Sequence, residues 1–361
     1  MKTAIEKIKA EQATIKKIDL SEQYSLSEIP EIIKNCHQLE RLDVSFTGIS
    51  IIPDFIFQLP KLKEFKYLCC NKLQKQPKSF SAQQPLEKLA IYVGQGQSIS
   101  DEITSLKNLK SLTISGKLKE IPKSIFNIAN IEELELFDTK VSVIAPEIRN
   151  LTKLKKLSFL QALFLSSEKP ASLRLSEVFH NLSECNSLKE LRLDSNGIKE
   201  IPTNIELLTQ LQVFSAKDNF LTSYPDSLYN LPNLKELDLS INQIKEISKG
   251  IGKLTQLKIL KFNSNWKNNL VTKNLFDEIS GLVNLETLEL WSCQSIKEIP
   301  ETISNLKKLK KLDLDNNLLQ TLPKSMRSMH QLKTLRVTTN QISSAEIAEL
   351  EKHLPNTKII A

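Results

Sequence analysis

Glycine, histidine and cysteine are scarce in this chain, and long apolar runs are missing. Of 361 residues only eight are Gly and four are His. Phosphate-cradling enzymes spend glycine on loops whose backbone N–H groups face the ligand, and many catalytic sites spend histidine. Neither G-x-x-x-x-G-K-[ST], H-E-x-x-H nor G-x-S-x-G occurs; Gly250-Ile251-Gly252-Lys253 lacks the flanking residues of a phosphate loop, and Gly94-Gln95-Gly96 is no dinucleotide fingerprint. The five cysteines (Cys36, Cys69, Cys70, Cys185, Cys293) are odd in number and match neither a disulfide framework nor a zinc spacing, which points to a reducing compartment and to no metal. No 18-residue apolar run is present, so no transmembrane segment is expected. The opening MKTAIEKIKAEQ is charged throughout and lacks a signal peptide's apolar stretch. Cytoplasmic residence is therefore expected, with export or delivery into a host cell as the alternative. Basic residues number 49 and acidic ones 42, a net charge of +7 too slight to imply a nucleic-acid partner. Length alone suggests about two domains.

What is present is a repeat. The pattern L-x-x-L-x-L-x-x-N-x-L-x-x-I-P recurs with a period of 23 residues, most cleanly in Leu188–Gln210. Repeats begin at Ile15, Leu39, Leu62, Leu86, Leu109, Ile131, Leu154, Leu188, Leu211, Leu234, Leu257, Leu285, Leu309 and Leu332. Fourteen repeats in steady register turn the chain into one long repetitive domain rather than two. Leu191 and Leu193 alternate as in a short strand with one face inward. A buried Asn at Asn196 would satisfy backbone groups at the turn that follows. Ile198, Ile201, Ile205 and Leu208 face inward from the returning segment, and only a stack of such units closes a core.

These residues resemble the leucine-rich repeat family. The second half Ile201-Pro202-Thr203-Asn204-Ile205-Glu206-Leu207-Leu208 is similar to the 23-residue subtype found in many bacterial proteins and in Ras-group repeat proteins. The resemblance implies an α/β leucine-rich-repeat solenoid, a horseshoe whose parallel sheet lines the concave side, with helical caps at both ends. The expected layout is a cap helix over 1–14, the solenoid over 15–342 and a C-terminal cap over 343–361, in one continuous domain. In the C-terminal cap, Ile347, Leu350 and Leu354 fall on one helical face, but Ser344 with Ile347 three residues on is no capping box.

Departures from the pattern carry the information. Asn holds the ladder position at Asn196, Asn219, Asn242, Asn265, Asn317 and Asn340; Thr47, Gly94, Thr139, Ala162 and Cys293 replace it elsewhere, so the first half should be less regular. Repeat 7 carries eleven extra residues within about 163–175, including Phe164, and repeat 11 carries five near 266–271. Repeat positions 3, 5, 7 and 8 should face the concave side, where they hold ten basic and fifteen acidic residues, which counts against a nucleic-acid groove.

Apolar residues at exposed positions stand out. Positions 7 and 8 hold Phe46, Leu68, Cys69, Tyr92, Val93, Phe137 and Leu160, with Glu133, Glu135 and Asp138 beside them. They form an expected stripe on the first half, suited either to a partner protein or to cover by the repeat 7 insertion with Phe164. Trp291 is a lone aromatic at position 7 of repeat 12. Position 2 is Lys in nine repeats (Lys16, Lys63, Lys110, Lys155, Lys189, Lys235, Lys258, Lys310, Lys333), a ridge that is either a solubilising rim or a site for an anionic ligand. The histidines have no Asp/Ser or Cys partner aligned on the strand face, so no enzyme and no cofactor is expected. The expected function is a protein–protein interaction module binding through the N-terminal half of its concave face. The alternatives are a bacterial effector engaging a host protein and a binder of an anionic ligand on the Lys ridge.

Overall fold

Three leucines per repeat, at positions 1, 4 and 6, cannot be hidden by one short strand. Stacking the repeats hides them. In the computed structural model, which describes residues 2–161, 173–245, 247, 250–265, 275–293 and 296–361, Leu42, Leu112, Leu134, Leu191, Leu237 and Leu312 are all essentially inaccessible. Each repeat supplies one strand, and within each half the strands run parallel in chain order.

The chain divides into two compact units, Met1–Leu188 and Lys189–Ala361. The N-terminal unit opens with helix α1 (Lys2–Glu11), whose Ile8 is buried. Its strands are β1 (Lys17–Asp19), β2 (Arg41–Asp43), β3 (Glu64–Tyr67), β4 (Lys88–Val93), β5 (Ser111–Gly116), β6 (Glu133–Phe137) and β7 (Lys156–Leu160), followed by α2 (Leu175–Leu182). The C-terminal unit holds β8 (Glu190–Arg192), β9 (Val213–Ser215), β10 (Glu236–Asp238), β11 (Ile259–Lys261), α3 (Leu275–Ile279), β12 (Thr287–Glu289), β13 (Lys311–Asp313), β14 (Thr334–Arg336), α4 (Ser344–His353) and β15 (Lys358–Ile360).

The returning half of most repeats is a single 3₁₀ turn, and the Ile-Pro pair explains it. Proline fixes φ near −65° and has no N–H to leave unpaired, so it starts the turn without loss. Its carbonyl then accepts the N–H three residues on, as in Pro30 with Ile33 (3.0 Å), Pro202 with Ile205 (3.2 Å) and Pro300 with Ile303 (3.1 Å).

Position 8 bends the strand out of the sheet. In twelve of the fourteen repeats it has positive φ, from Glu22 and Phe46 through to Asn316 and Thr339. Repeat 4 departs at Val93, as repeat 7 does at Gln161; neither has positive φ. Strand β4 runs on instead, and Val93 turns into the core. In repeat 5 the position is Gly116, at φ 101°. A Cβ there would lie 2.3 Å from the Val93 carbonyl oxygen and 2.9 Å from the Tyr92 ring, so only glycine fits.

Helix α4 of the C-terminal cap starts at Ser344, with Ser343 as its N-cap. Ser343, not Ser344, accepts the N–H of Glu346 at 3.2 Å, giving the Ser-x-x-Glu spacing of a capping box. Glu346 does not close the box; its Oε1 accepts the Leu322 N–H of the preceding repeat at 2.6 Å.

Candidate functional site

Polar ladders fix the strand ends on which any surface site must sit. In the C-terminal unit, Asn242 Oδ1 accepts the Leu221 N–H (3.0 Å), and its Nδ2 donates to the carbonyls of Ala216 (2.9 Å) and Leu239 (3.0 Å). Asn219, Asn265, Asn317 and Asn340 repeat the pattern. At Cys293 the thiol reaches the Phe262 carbonyl at 3.5 Å, and burial pushes it up to about 12. A second ladder, not expected from the sequence, uses an asparagine at the last position of four repeats. There Asn108, Asn130, Asn233 and Asn284 donate to the Gln84, Lys107, Thr209 and Thr255 carbonyls of the repeat before.

The N-terminal unit improvises. Thr47 Oγ1 donates to the Val44 carbonyl at 2.8 Å, and the buried Cys70 thiol reaches the same carbonyl at 3.4 Å. Gly94 has no side chain to offer, so Gln97 takes over: its Oε1 accepts the Gly94 N–H (3.0 Å) and its Nε2 donates to the Leu73 carbonyl (2.7 Å). Gln76 links this substitute to the core and to the surface. It accepts from the Tyr67 hydroxyl (3.1 Å) and donates to Gln97 Oε1 (2.7 Å) and to the Tyr92 carbonyl (2.6 Å). The backbone beneath Tyr92 is thereby held.

On the open face of the N-terminal sheet, one row is mostly apolar. Register places Tyr92, Ser115, Phe137 and Leu160 side by side on β4, β5, β6 and β7. Neighbouring strands are about 4.8 Å apart, so Tyr92 and Phe137 are about 10 Å apart in that row. Ser115 is buried between them and turns its hydroxyl to the Ile91 carbonyl at 3.0 Å, leaving a shallow floor. Leu68 and Phe46 are half-buried on the β3 and β2 side, with Phe46 at φ 58° in the bend after its strand. Phe137 and Leu160 are also half-buried, while Tyr92 is only 9% exposed, its ring lying over Gly116. Val93 differs from expectation: at 0% exposure it belongs to the core, because its strand does not bend outward there. Phe164 lies outside the described residues.

The acidic residues beside the row have different partners. Glu133 is exposed and accepts the Ser111 hydroxyl at 3.0 Å. Glu135 is half-buried and, among the described residues, closes no hydrogen bond or ion pair. Burial pushes its carboxyl above the ordinary range; Lys156 and Lys66 oppose that, and Glu133 adds to it. Asp138 follows at φ 51°, its N–H on the Leu160 carbonyl. Burial also raises the Tyr92 phenol and brings the half-buried Cys69 thiol to about 11, with Asp138 contributing to both. A thiol raised that far is no nucleophile at neutral pH.

The same face of the C-terminal unit is polar and tied together. Arg192 pairs with Glu190 (2.6 Å), Lys261 with Glu236 (3.0 Å), Lys311 with Glu289 (2.6 Å) and Arg336 with Asp313 (3.4 Å). Glu289 also accepts from Asn263 Nδ2 at 3.1 Å. Burial works to raise the Glu289 carboxyl, but Lys311 and Asn263 outweigh it and hold it below the usual range. Trp291 is half-buried here, with no apolar row around it.

Much of the lysine ridge is paired with acids of the neighbouring repeats. The intervening repeats place Glu40, Glu87, Glu132 and Glu286 at the same position 2. Glu40 bridges Lys16 (3.6 Å) and Lys63 (3.5 Å); Glu286 bridges Lys258 (3.8 Å) and Lys310 (2.6 Å). Lys110 pairs with Glu87 (3.2 Å) and Lys155 with Glu132 (2.7 Å), while Lys189 and Lys235 donate to Gln210 and Gln212. Exposed pairs of this kind add little stability each, and they tie six of the nine ridge lysines to carboxylates. The acids were visible in the aligned repeats, and counting lysines alone missed them.

All four histidines, His37, His180, His330 and His353, are exposed and lie in different repeats. Among the described residues no cluster of three or more His, Cys, Asp or Glu could hold a metal, and no helix is long and apolar enough to cross a membrane.

Comparison with known proteins agrees with this architecture. Residues 171–297 match the family model described as a leucine-rich repeat region, and 283–342 match the leucine rich repeat model. A leucine-rich repeat protein of Leptospira interrogans is 28% identical, with a TM-score of 0.60 over 99% of this chain and 98% of that one. An internalin from Listeria monocytogenes is 20% identical with a TM-score of 0.50, covering 97% of this chain and 88% of its own; this likeness shows the fold alone. Among curated proteins, a volume-regulated anion channel subunit of Xenopus laevis is 24% identical over 260 residues, 57% of this chain and 31% of that protein. The chain thus spans about a third of the length of the curated relatives it matches. The register, the ladders, the strand-turn repeat and these matches agree: the chain belongs to the leucine-rich repeat proteins.

Proposed function

We propose that the chain is a protein-interaction module whose partner docks on the open face of β3–β7, with Tyr92, Phe137 and Leu160 as anchors and Phe46 and Leu68 at the margin. One observation carries this: from Leu68 to Leu160 the row at position 7 is apolar except at Ser115, and in register from Tyr92 to Leu160, whereas the corresponding row of the C-terminal unit includes Asp194, Lys217, Ser240 and Asn263 with Trp291 alone among them. Aromatic side chains at the centre of a patch, with ionic groups at its rim, are the usual carriers of binding energy. Leucine-rich repeat proteins generally serve as interaction modules, in keeping with this. Glu133, Glu135 and Asp138 lie at the rim. Trp291 stands apart and is not assigned to the site.

The test removes the apolar row without disturbing the core. Tyr92 is too buried to take a charge cleanly, so Phe137→Ser with Leu160→Ser is the better variant. Partner capture is expected to fall at least about ten-fold, with circular dichroism and melting unchanged. Unaltered capture by a folded variant contradicts the assignment. An anionic ligand on the lysine ridge would have to compete with the glutamates that pair six of its nine lysines.

A further inference from the structure

Any partner that covers Phe137 also takes water away from Glu135. The two side chains lie two residues apart on the open face of β6, about 7 Å along the strand. In the sheet Glu135 is flanked in register by Thr113 on β5 and Ser158 on β7, both short and uncharged. Comparable groups on the open strand faces of both units are paired: Glu64 with Arg41 and Lys66, and Glu190, Glu236, Glu289 and Asp313 each with a cation within an ion-pair distance. Glu135 has none among the described residues, although it is half-buried. Enclosing an unpaired carboxylate beneath an apolar surface is strongly unfavourable, and a cation brought by the partner offsets that cost. Glu133, two residues earlier on the same face and exposed, adds negative charge along the same line.

We infer that the partner segment docking on β6 presents a lysine or arginine to Glu135 and Glu133, adjacent to the apolar side chain that covers Phe137. This deepens the docking assignment above and rests on it. The occupant is a basic–apolar protein segment. An acidic segment would meet two carboxylates, and a wholly apolar one would bury Glu135 with only the more distant Lys156 and Lys66 to offset the charge. Arginine suits the position better than lysine, because its fork spans two carboxylate oxygens and sheds water more easily.

The experiment selects phage-displayed random 12-residue peptides on the full chain, with counter-selection on Phe137→Ser/Leu160→Ser. Enriched peptides are then synthesised and titrated against the wild type, Glu135→Gln and Glu133→Gln. Enrichment of Arg or Lys within a few residues of Phe, Leu, Ile or Trp is expected. Glu135→Gln should weaken binding about ten-fold, and replacing the peptide cation by Gln should weaken it about equally. Combining the two changes should cost little more than either alone, which a purely structural role of Glu135 would not produce. Peptides that depend on Phe137 and Leu160 but lack basic residues, or that ignore Glu135→Gln, overturn this inference and leave the docking face standing. A selection yielding no peptide dependent on Phe137 and Leu160 overturns both. Self-association of the chain that is lost in Phe137→Ser would name a second copy as the occupant and also overturns it.

Discussion

The N-terminal and C-terminal units are built from one repeat and differ in how they handle polar groups. The C-terminal unit satisfies its strand ends with a regular asparagine ladder and knits its open face into ion pairs. The N-terminal unit makes do with Thr47, Cys70 and the Gln76–Gln97 pair, and on its open face leaves apolar side chains beside Glu135, which has no ion pair among the described residues. A surface whose charges already pair with one another gains little by binding. One whose apolar groups and carboxylate lack internal partners has more to gain. Regular inner packing and binding capacity are therefore found on different units.

The first way to break this contrast is through the ladder. Asn242→Ala should cost about 3 kcal/mol, because it leaves the Leu221 N–H unpaired in the core and takes one of two amide donors from each of the Ala216 and Leu239 carbonyls, which keep Asn219 and Asn265. Gln97→Ala should cost less, about 2 kcal/mol, since it exposes a partly accessible turn. Urea unfolding midpoints measure both; equal costs would mean that the substitute ladder is as strong as the regular one.

The surface carboxylates should show opposite signs. Glu289 is held below its ordinary value, so its stabilisation is complete above about pH 4.5 and is lost as pH falls through its lowered folded value. Glu289→Gln should cost about 1–2 kcal/mol at pH 7, and the deficit should shrink on acidification. Glu135 is raised, so its ionisation costs stability, and that cost disappears as pH falls from its raised value to the ordinary one. Glu135→Gln should therefore stabilise the free chain slightly, by about 0.5 kcal/mol at pH 7, with the gain fading near pH 4. Thermal melts of both variants between pH 4 and 7 check the signs; a Glu135→Gln variant that melts lower than the wild type refutes the unpaired state.

Much of the fold was legible because the repeat states its own register. The leucines at positions 1, 4 and 6 and the Ile-Pro pair specify strand and turn, and the asparagine ladder follows from position alone. Val93 was not legible. Its burial depends on whether the chain bends at position 8, and residue type alone does not decide that: the strand runs straight on at Val93, while the equally β-branched Ile241 and Thr339 take the bend. Gln97 was hidden for a related reason: it does a ladder residue's work from three positions further on. The ionic state of the open face was also beyond a residue count, since Glu135 and Glu289 occupy the same repeat position and only their neighbours distinguish them.

The most direct test of the binding face is photo-crosslinking from the same row of each unit. A benzoyl-phenylalanine is placed at Phe137 in one variant and at the exposed Lys217 in another, and both are irradiated with the captured partner. Crosslinking from position 137 and none from position 217 is the predicted result. Crosslinking from position 217 with none from position 137 would contradict the account.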